Sequence, residues 1–411
     1  MLLCTNRRRG TRKSERLPIE NRFNPIRGNV NSPEEKIFSH FMLKEIHEQS
    51  EVVRTCLQAF SEIRFNNEQP QLGLTKQPLN LGLSSNFYDG IDQIKILACG
   101  SSLHASLVGK YLLEQVAKVP TSVHYASEFR DAPSPATPNT LIVGVTQSGE
   151  TADTLAALEI EKQHCSSETR FLGITNQAGS SLEKLVDRTI HTLAGSEVAI
   201  AATKTFVAQL IAFYCWALDV AYCRQTLSSD RLHRILTQLH QIPAQIDLIL
   251  QSQKHAIEQL AKDFTHTQNC IFLGRGINFP ITLEAALKLK ETSYIHATGY
   301  HAGEFLHGPI AILDSSVTVV AIAMPGTVYE KILANAQKAK ARGVHLIGVT
   351  SINNPQAIEL FDDILTVPEV DELLSPLLTV IPLQLLAYYT AVHRGLDVDR
   401  PRNLTKTLTV D

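Results

Sequence analysis

Residues 139–154 read NTLIVGVTQSGETADT, Asn139 through Thr154. Leu141-Ile142-Val143-Gly144-Val145 is a short apolar run suited to a strand buried on both faces. It breaks into Thr146-Gln147-Ser148-Gly149, three hydrogen-bonding side chains and a glycine. Glu150-Thr151-Ala152-Asp153 follows, acid-rich like the first turn of a helix, and Leu155, Ala156 and Leu158 continue an apolar face. A buried strand, a tight turn and a helix start present unpaired N–H groups at the positive end of a helix dipole, which suits a phosphate. The hydroxyls of Thr146, Ser148 and Thr151 add donors without charge. The same residues are also compatible with an ordinary helix cap.

The pattern recurs on both sides. Upstream, the strand Gln93–Ala98 runs into Cys99-Gly100-Ser101-Ser102 and a helix over 103–117, a second junction of strand, hydroxyls and helix. Ser122–Tyr125 predicts a further strand. Downstream, 171–176 and 188–193 predict strands and 203–222 a long helix. Alternating strands and helices imply a doubly wound parallel sheet, with ligands bound beyond the carboxyl ends of its strands. Then Cys270–Gly276 echoes Ile96–Ser101, Thr318–Ala323 echoes Leu141–Val145, and His345–Thr350 echoes Phe171–Thr175. The offsets all lie near roughly 175 residues, which predicts a duplicated domain. Met324-Pro325-Gly326 stands in the second copy where Thr146-Gln147-Ser148 stands in the first, so one half alone keeps the hydroxyl turn. The expected class is α/β, with two tandem doubly wound parallel-sheet domains and a helical N-terminal linker.

At 411 residues the chain is longer than one core usually supports. Its net charge of −3 argues against a dedicated nucleic-acid binder. The seven cysteines include no CxxC pair and are odd in number, which predicts reduced thiols and a cytoplasmic setting. No uncharged apolar run reaches the length of a membrane span.

The expected organisation is a basic leader over 1–31, a helical linker and loop over 32–90, a first sheet domain over 91–228, a helical connector over 229–264, a second sheet domain over 265–396, and a C-terminal loop over 397–411. In the leader, eight Arg and Lys residues (Arg7, Arg8, Arg9, Arg12, Lys13, Arg16, Arg22, Arg27) face only Glu15 and Glu20. It reads as a disordered tail, with a transit peptide or an RNA-binding arm as alternatives. Ser32-Pro33-Glu34-Glu35 has the form of a capping box opening a helix that runs to about Phe60. Residues 66–90, rich in Asn, Gln, Pro and Gly, read as loop.

Three places outside the hydroxyl turns carry chemistry. Within LEAALKLKETSY, Leu283–Tyr294, the residues Glu284, Lys288 and Glu291 fall on one helix face. The stripe is either a salt-bridged solvated face or a carboxylate held beside an ammonium, able to move a proton next to a carbonyl. His307 sits before Gly308-Pro309 in a rigid turn, and histidine is the residue type suited to passing protons to a sugar ring oxygen. Neither HExxH nor a Cys/His pair at ligand spacing accompanies it, so no metal and no cofactor is expected. Lys406 lies in a tail that is not low-complexity; desolvated, its amine would form a Schiff base, and otherwise the tail frays.

In order along the chain, HFMLKEIHEQ (40–49), ACGSS (98–102), ASEFR (126–130), TQSGETADT (146–154), GSEVAIAATKTF (195–206), FLGRG (272–276), LEAALKLKETSYIHA (283–297), AGEFLHGP (302–309), IPLQLLAY (381–388) and DVDRPRNLTKTLTV (397–410) resemble the isomerase half of glutamine–fructose-6-phosphate aminotransferase (isomerising), also called glucosamine-6-phosphate synthase. The resemblance implies two sugar isomerase domains and a homodimer. It implies that Ser101, Ser102, Thr146, Gln147, Ser148 and Thr151 hold the 6-phosphate of fructose 6-phosphate. By the same resemblance Glu291 moves a proton between C1 and C2 beside Lys288, His307 opens the sugar ring across the dimer interface, and Lys406 forms the Schiff base. The product implied is glucosamine 6-phosphate. The family heads its chain with a catalytic cysteine and a glutaminase domain; residue 2 here is Leu, and Cys4 has none of that motif. The expectation is therefore isomerisation, use of free ammonia, or pairing with a separate glutaminase chain. The alternatives are a non-catalytic regulatory module and an inactive fragment. Ala202 replaces the Ser that the family usually places near the sugar, and Leu306 the Lys usual before His-Gly-Pro.

Overall fold

The computed structural model describes residues 26–27, 37–61, 63–66, 69–72, 78–166, 168–351 and 355–406. Most of the basic leader, the capping box at 32–35 and residues 407–411 lie outside these. The chain up to Ser39 is a unit of its own, in which Ile26–Arg27 pairs antiparallel with Ile37–Phe38; His40–Asp411 forms the other.

Two expectations for the linker are corrected. The helix does not extend from Ser32: Ile37–Phe38 is extended, and helices run Phe41–His47 and Gln49–Phe60 with a break at Glu48. The cap comes from the far end of the chain. Asp399 accepts the Phe41 amide (2.9 Å) and the Met42 amide (2.8 Å), a carboxylate at a helix N-terminus that local spacing does not announce. Nor is 66–90 all loop. Ile63–Asn66 and Gln69–Leu72 pair as an antiparallel ribbon, and Ser85–Tyr88 makes a 3-10 turn. Pro70 is tolerated because both ribbon strands are edges.

The first sheet comprises β1 (Gln93–Ala98), β2 (Thr121–Tyr125), β3 (Thr140–Val145), β4 (Phe171–Thr175) and β5 (Arg188–His191), all parallel in the order β2-β1-β3-β4-β5. The second comprises β6 (Asn269–Gly274), β7 (His296–His301), β8 (Val317–Ile322), β9 (His345–Ser351) and β10 (Asp363–Val367), in the order β7-β6-β8-β9-β10. The topologies are identical. Thr121 to His296 and Arg188 to Asp363 are each 175 residues apart, which extends the repeat to the outer strands.

The central strands divide their side chains between two interiors. From β1, Ile94, Ile96 and Ala98 enter a core that also takes Cys270 and Phe272 of β6, whereas Leu97 enters a separate cluster with Ile142 and Leu158. On β6 and β8 the alternate residues Ile271, Leu273, Val319 and Ala321 enter a third cluster. Burial on both faces at period 2 explains why these strands read as continuous apolar runs. The shared core is lined by helices Gly100–Gln115, Lys204–Cys223, Phe279–Ser293 and Pro376–His393, so one hydrophobic interior joins the halves.

Against the expectation that no run reaches the length of a membrane span, helices Lys204–Cys223 and Pro376–His393 are long and apolar enough to cross a bilayer by length and composition. In each, 89% of that window is buried inside the protein, and core packing accounts for the apolarity. Among the described residues all six cysteines are free thiols, in keeping with the reading of their spacing.

Candidate active site

Strand β3 ends at Val145 and the next helix begins at Ala152, leaving Thr146–Thr151 as the turn between them. Gly149 makes it possible. Its φ is +69°, and a Cβ there would lie 2.2 Å from Ser180 Oγ. The Thr146 and Thr151 hydroxyls lie 2.6 Å apart and share a hydrogen bond, and Ser148 Oγ accepts the Glu150 amide at 3.1 Å. The first bond inside the helix runs from Leu155 N–H to Thr151 O, so the amides before it have no partner within the helix.

The second junction is tighter than its sequence suggests. Gly100 takes φ +54° and the helix opens at Gly100 itself, not at Leu103, so Ser101 and Ser102 belong to its first turn. Ser102 Oγ accepts from Gln209 Nε2 at 2.9 Å. Ser101 Oγ donates to Glu284 Oε1 at 2.9 Å, which ties the hydroxyl-rich end to the charged stripe of the other half.

That stripe is not a solvated face. The side chains of Glu284 and Lys288 are 0% and 1% exposed, and Glu291 is 20% exposed. The stripe points at Gly100–Gln115 of the first half, where His104 Nδ1 meets Glu284 Oε2 at 2.8 Å. Lys288 Nζ lies 3.5 Å from Glu284 and 2.6 Å from Glu291. Burial works against the Lys288 charge, but Glu291 and Glu284 outweigh it and hold the ammonium above its ordinary range. Burial likewise opposes ionisation of Glu284, and the Lys288 charge with the bonds from His104 and Ser101 reverses this, leaving its carboxyl below the usual range.

The tail is anchored. Lys406 Nζ donates to Glu197 Oε2 at 2.7 Å and to Ala199 O at 2.5 Å. Glu197 is fully buried and also caps helix Lys204–Cys223, accepting the amides of Thr203 (2.9 Å) and Thr205 (3.2 Å) and the Thr205 hydroxyl (2.7 Å).

A cleft of about 150 Å³ gathers these groups. The first half lines it with Ser101, Ser102, Thr146, Gln147, Ser148 and Thr151, and with Cys99, Glu197, Ile200 and Ala202. The second half contributes Lys288 and Glu291, and the C-terminal segment Lys406. His307 does not line it. That residue follows the 3-10 turn Glu304–Leu306, is exposed, and donates its amide to Glu304 O at 2.9 Å. In the second half, the Thr327 amide and hydroxyl beside Gly326 donate to Glu372 at 2.7 and 3.1 Å, so the chain's own carboxylate serves the turn that lacks the first half's hydroxyl cluster. Among the described residues no cluster of His, Cys, Asp and Glu has the form of a metal site.

Sequence spacing gave no chemical role to Glu197 or His104. Glu197 stands seven residues before the helix it caps, beyond the reach of a capping-box pattern. His104 is one turn beyond Gly100, and only the fold brings it to Glu284.

Twin parallel sheets of this order are the doubly wound architecture, and the hydroxyl turn lies at the carboxyl end of a central strand, where such sheets bind ligands. The SIS domain family matches the chain twice, at residues 90–218 and 263–394. Among solved structures, the C-terminal domain of glucosamine-fructose-6-phosphate aminotransferase from Francisella tularensis is 35% identical with a TM-score of 0.80, covering 89% of this chain and 99% of that one. The chain therefore belongs to the SIS family and, within it, to the isomerase halves of the glutamine–fructose-6-phosphate aminotransferases. The glutamine–fructose-6-phosphate aminotransferase (isomerizing) of Nostoc sp. (strain PCC 9229) is 60% identical over 380 residues, covering 91% of this chain and 60% of that protein. Its counterpart from Synechocystis sp. (strain ATCC 27184 / PCC 6803 / Kazusa) is 57% identical over 385 residues, covering 92% and 60%. The chain thus spans about 60% of the length of these curated relatives. A structure described as glucosamine-6-phosphate deaminase from Thermotoga maritima shares the fold, with a TM-score of 0.67 at 23% identity.

Proposed function

We propose that the cleft binds fructose 6-phosphate and carries it toward glucosamine 6-phosphate. The phosphate sits on the amides and hydroxyls of Thr146–Thr151 with Ser102. Ser101, which also lines the cleft, joins them in holding the phosphate. His307 of one subunit serves the cleft of its partner in a homodimer, protonating the ring oxygen to open the sugar. The Lys406 amine, its proton taken up by Glu197, attacks the C2 carbonyl and expels water as the imine forms. Ammonia displaces the lysine from C2. Glu291 then removes a proton from C1 and returns it to C2, while the C1 hydroxyl proton passes to the imine nitrogen, leaving an aldehyde at C1 and an amine at C2. The net change adds ammonia and releases water. Without ammonia, the same transfer of a proton from C1 to C2 on the open-chain ketose itself, with the C1 hydroxyl proton passing to the C2 oxygen, yields the aldose phosphate. The ammonia is either free or delivered by a glutaminase domain.

The observation that carries this reading is the shared cleft: a hydroxyl turn from one half, a buried ammonium–carboxylate pair from the other, and an anchored amine from the tail. The test is turnover of fructose 6-phosphate with ammonium chloride by the chain and by Glu291→Gln. The reading expects glucosamine 6-phosphate from the first and a loss of at least a hundredfold in the second, the scale of a missing acid–base group. Equal rates would remove Glu291 from the reaction. Saturable sugar-phosphate binding with no product from the chain would favour a regulatory module.

A further inference from the structure

Glu45 belongs to helix Phe41–His47, outside both matched domains and away from the cleft lining, yet its carboxylate is 2% exposed. Both oxygens are engaged. Oε1 accepts the Val198 amide at 2.5 Å and Oε2 the Ala199 amide at 3.3 Å. These amides belong to the loop whose other groups grip the tail, since Ala199 O and Glu197 Oε2 are the two acceptors of Lys406 Nζ. Asp399 closes the ring. Its carboxylate caps the helix that carries Glu45, and its carbonyl accepts the Ile200 amide at 3.0 Å. Helix 41–47, loop 197–200 and segment 399–406 thus hold one another through a closed set of bonds.

We infer that Glu45 is a positioning residue for the Lys406 amine, acting through the 197–199 loop, so that the helix preceding both sheet domains sets the geometry of the amine at the cleft. A buried carboxylate is a costly device for tethering two amides, because a neutral side chain or a backbone carbonyl would accept the same bonds without desolvating a charge. What a carboxylate adds is a bond that can be released. Facing Glu45 are Glu197 from its own loop partner, Lys204 from the helix that follows, and Lys406 from the tail; Lys204 is itself paired with Glu48 at 2.8 Å, and Glu48 with Lys44. Burial first, and then the like charge of Glu197, push the Glu45 carboxyl up to about 7, against the Val198 amide and the two lysines. On protonation the acceptor weakens, and the loop with its amine is held less firmly.

For the reaction this inference rests on the proposed role of Lys406; the geometry of the amine does not. The experiment therefore has two readouts on the folded chain, with Glu45→Ala and Glu45→Gln beside the unaltered protein. The first is competitive acetylation of lysines by acetic anhydride, with Lys406 quantified by peptide mass spectrometry across pH 6 to 9. Glu45→Ala should raise Lys406 labelling several-fold relative to the remaining lysines. Glu45→Gln, which keeps an oxygen for the Val198 amide, should fall between the two and lose the change in labelling near pH 7 that the unaltered chain displays. The second is turnover of fructose 6-phosphate with ammonium. Here kcat should fall on the order of 10- to 100-fold in Glu45→Ala, with KM nearly unchanged because the phosphate turn is untouched. Lys406 labelling identical in all three proteins would overturn the inference, and so would an activity loss matching the unfolded fraction seen by circular dichroism. If Glu45→Ala does not fold, Glu45→Gln decides on the same criteria. If labelling shifts as stated while the unaltered chain has no turnover, the inference stands and the proposed reaction fails.

Discussion

Replacing Lys288 with Met isolates the electrostatics of the charged stripe. Lys288 fills a site with 1% exposure between Glu284, which is 0% exposed, and Glu291. Methionine conserves most of the aliphatic volume, so packing is nearly preserved and the charge is lost. Glu284 then keeps Ser101 and His104 but loses the ammonium 3.5 Å away, in a place where water cannot replace it. Removing one partner of a buried ion pair costs about 3–5 kcal/mol, and the exposure of Glu284 puts this case at the upper end. The assay is guanidinium unfolding followed through Trp216, the sole tryptophan, which lies in the core shared by the two halves. The sign with pH is fixed. In the unaltered chain the Glu284 carboxyl is held low, so its contribution is present above the unfolded carboxylate pKa of about 4.3 and is lost as pH falls through the folded value. In Lys288→Met only the bonds from His104 and Ser101 still oppose burial, so that pKa rises, and the deficit should be largest at high pH and shrink as pH falls. Adding Glu284→Gln should recover most of the loss, since the orphaned charge goes with it. A single variant within about 0.5 kcal/mol of the unaltered chain at pH 8 would refute the reasoning, since only a free surface charge is so cheaply lost.

Gly149→Ala should lower affinity for the sugar phosphate by at least tenfold in a binding titration, because φ of +69° and the Ser180 contact each oppose a Cβ in the turn. Thr151→Val removes one hydroxyl of the Thr146–Thr151 pair, and should raise KM for fructose 6-phosphate several-fold while leaving kcat within a few-fold. Ala202→Ser places a hydroxyl in the cleft lining, and should lower KM if it meets the sugar, by the roughly 0.5–1.5 kcal/mol of one hydrogen bond. Mixing His307→Asn with Glu291→Gln chains should restore activity to mixed dimers in which one cleft receives both intact groups; unmixed dimers of either variant should stay inactive.

The duplicated sheets were legible because a strand buried on both faces writes itself as an apolar run, and three such runs recur near 175 residues further on. The hydroxyl turn was equally local, since Gly149 and its neighbours carry their geometry in six residues. What was not legible depends on distant partners. The cap of helix Phe41–His47 comes from Asp399, which no local spacing announces, and the extended Ile37–Phe38 breaks the continuous helix expected up to Phe60. The stripe at Glu284 and Lys288 has the i, i+4 spacing of a solvated ion pair, and only its packing against Gly100–Gln115 turns it into a buried network. Glu45 and Glu197 have the same limitation: each is an unremarkable acid in sequence, and each bonds backbone amides that the fold brings to it.

The central claim is that the tail amine and the phosphate turn address one sugar. Sodium borohydride added to the chain in fructose 6-phosphate reduces an imine to a stable secondary amine, which peptide mass spectrometry locates. The account predicts a hexitol phosphate adduct on Lys406, lost in Lys406→Arg and sharply reduced in Ser148→Ala/Thr151→Val. An adduct on another lysine, or one on Lys406 indifferent to the two hydroxyl changes, would contradict it.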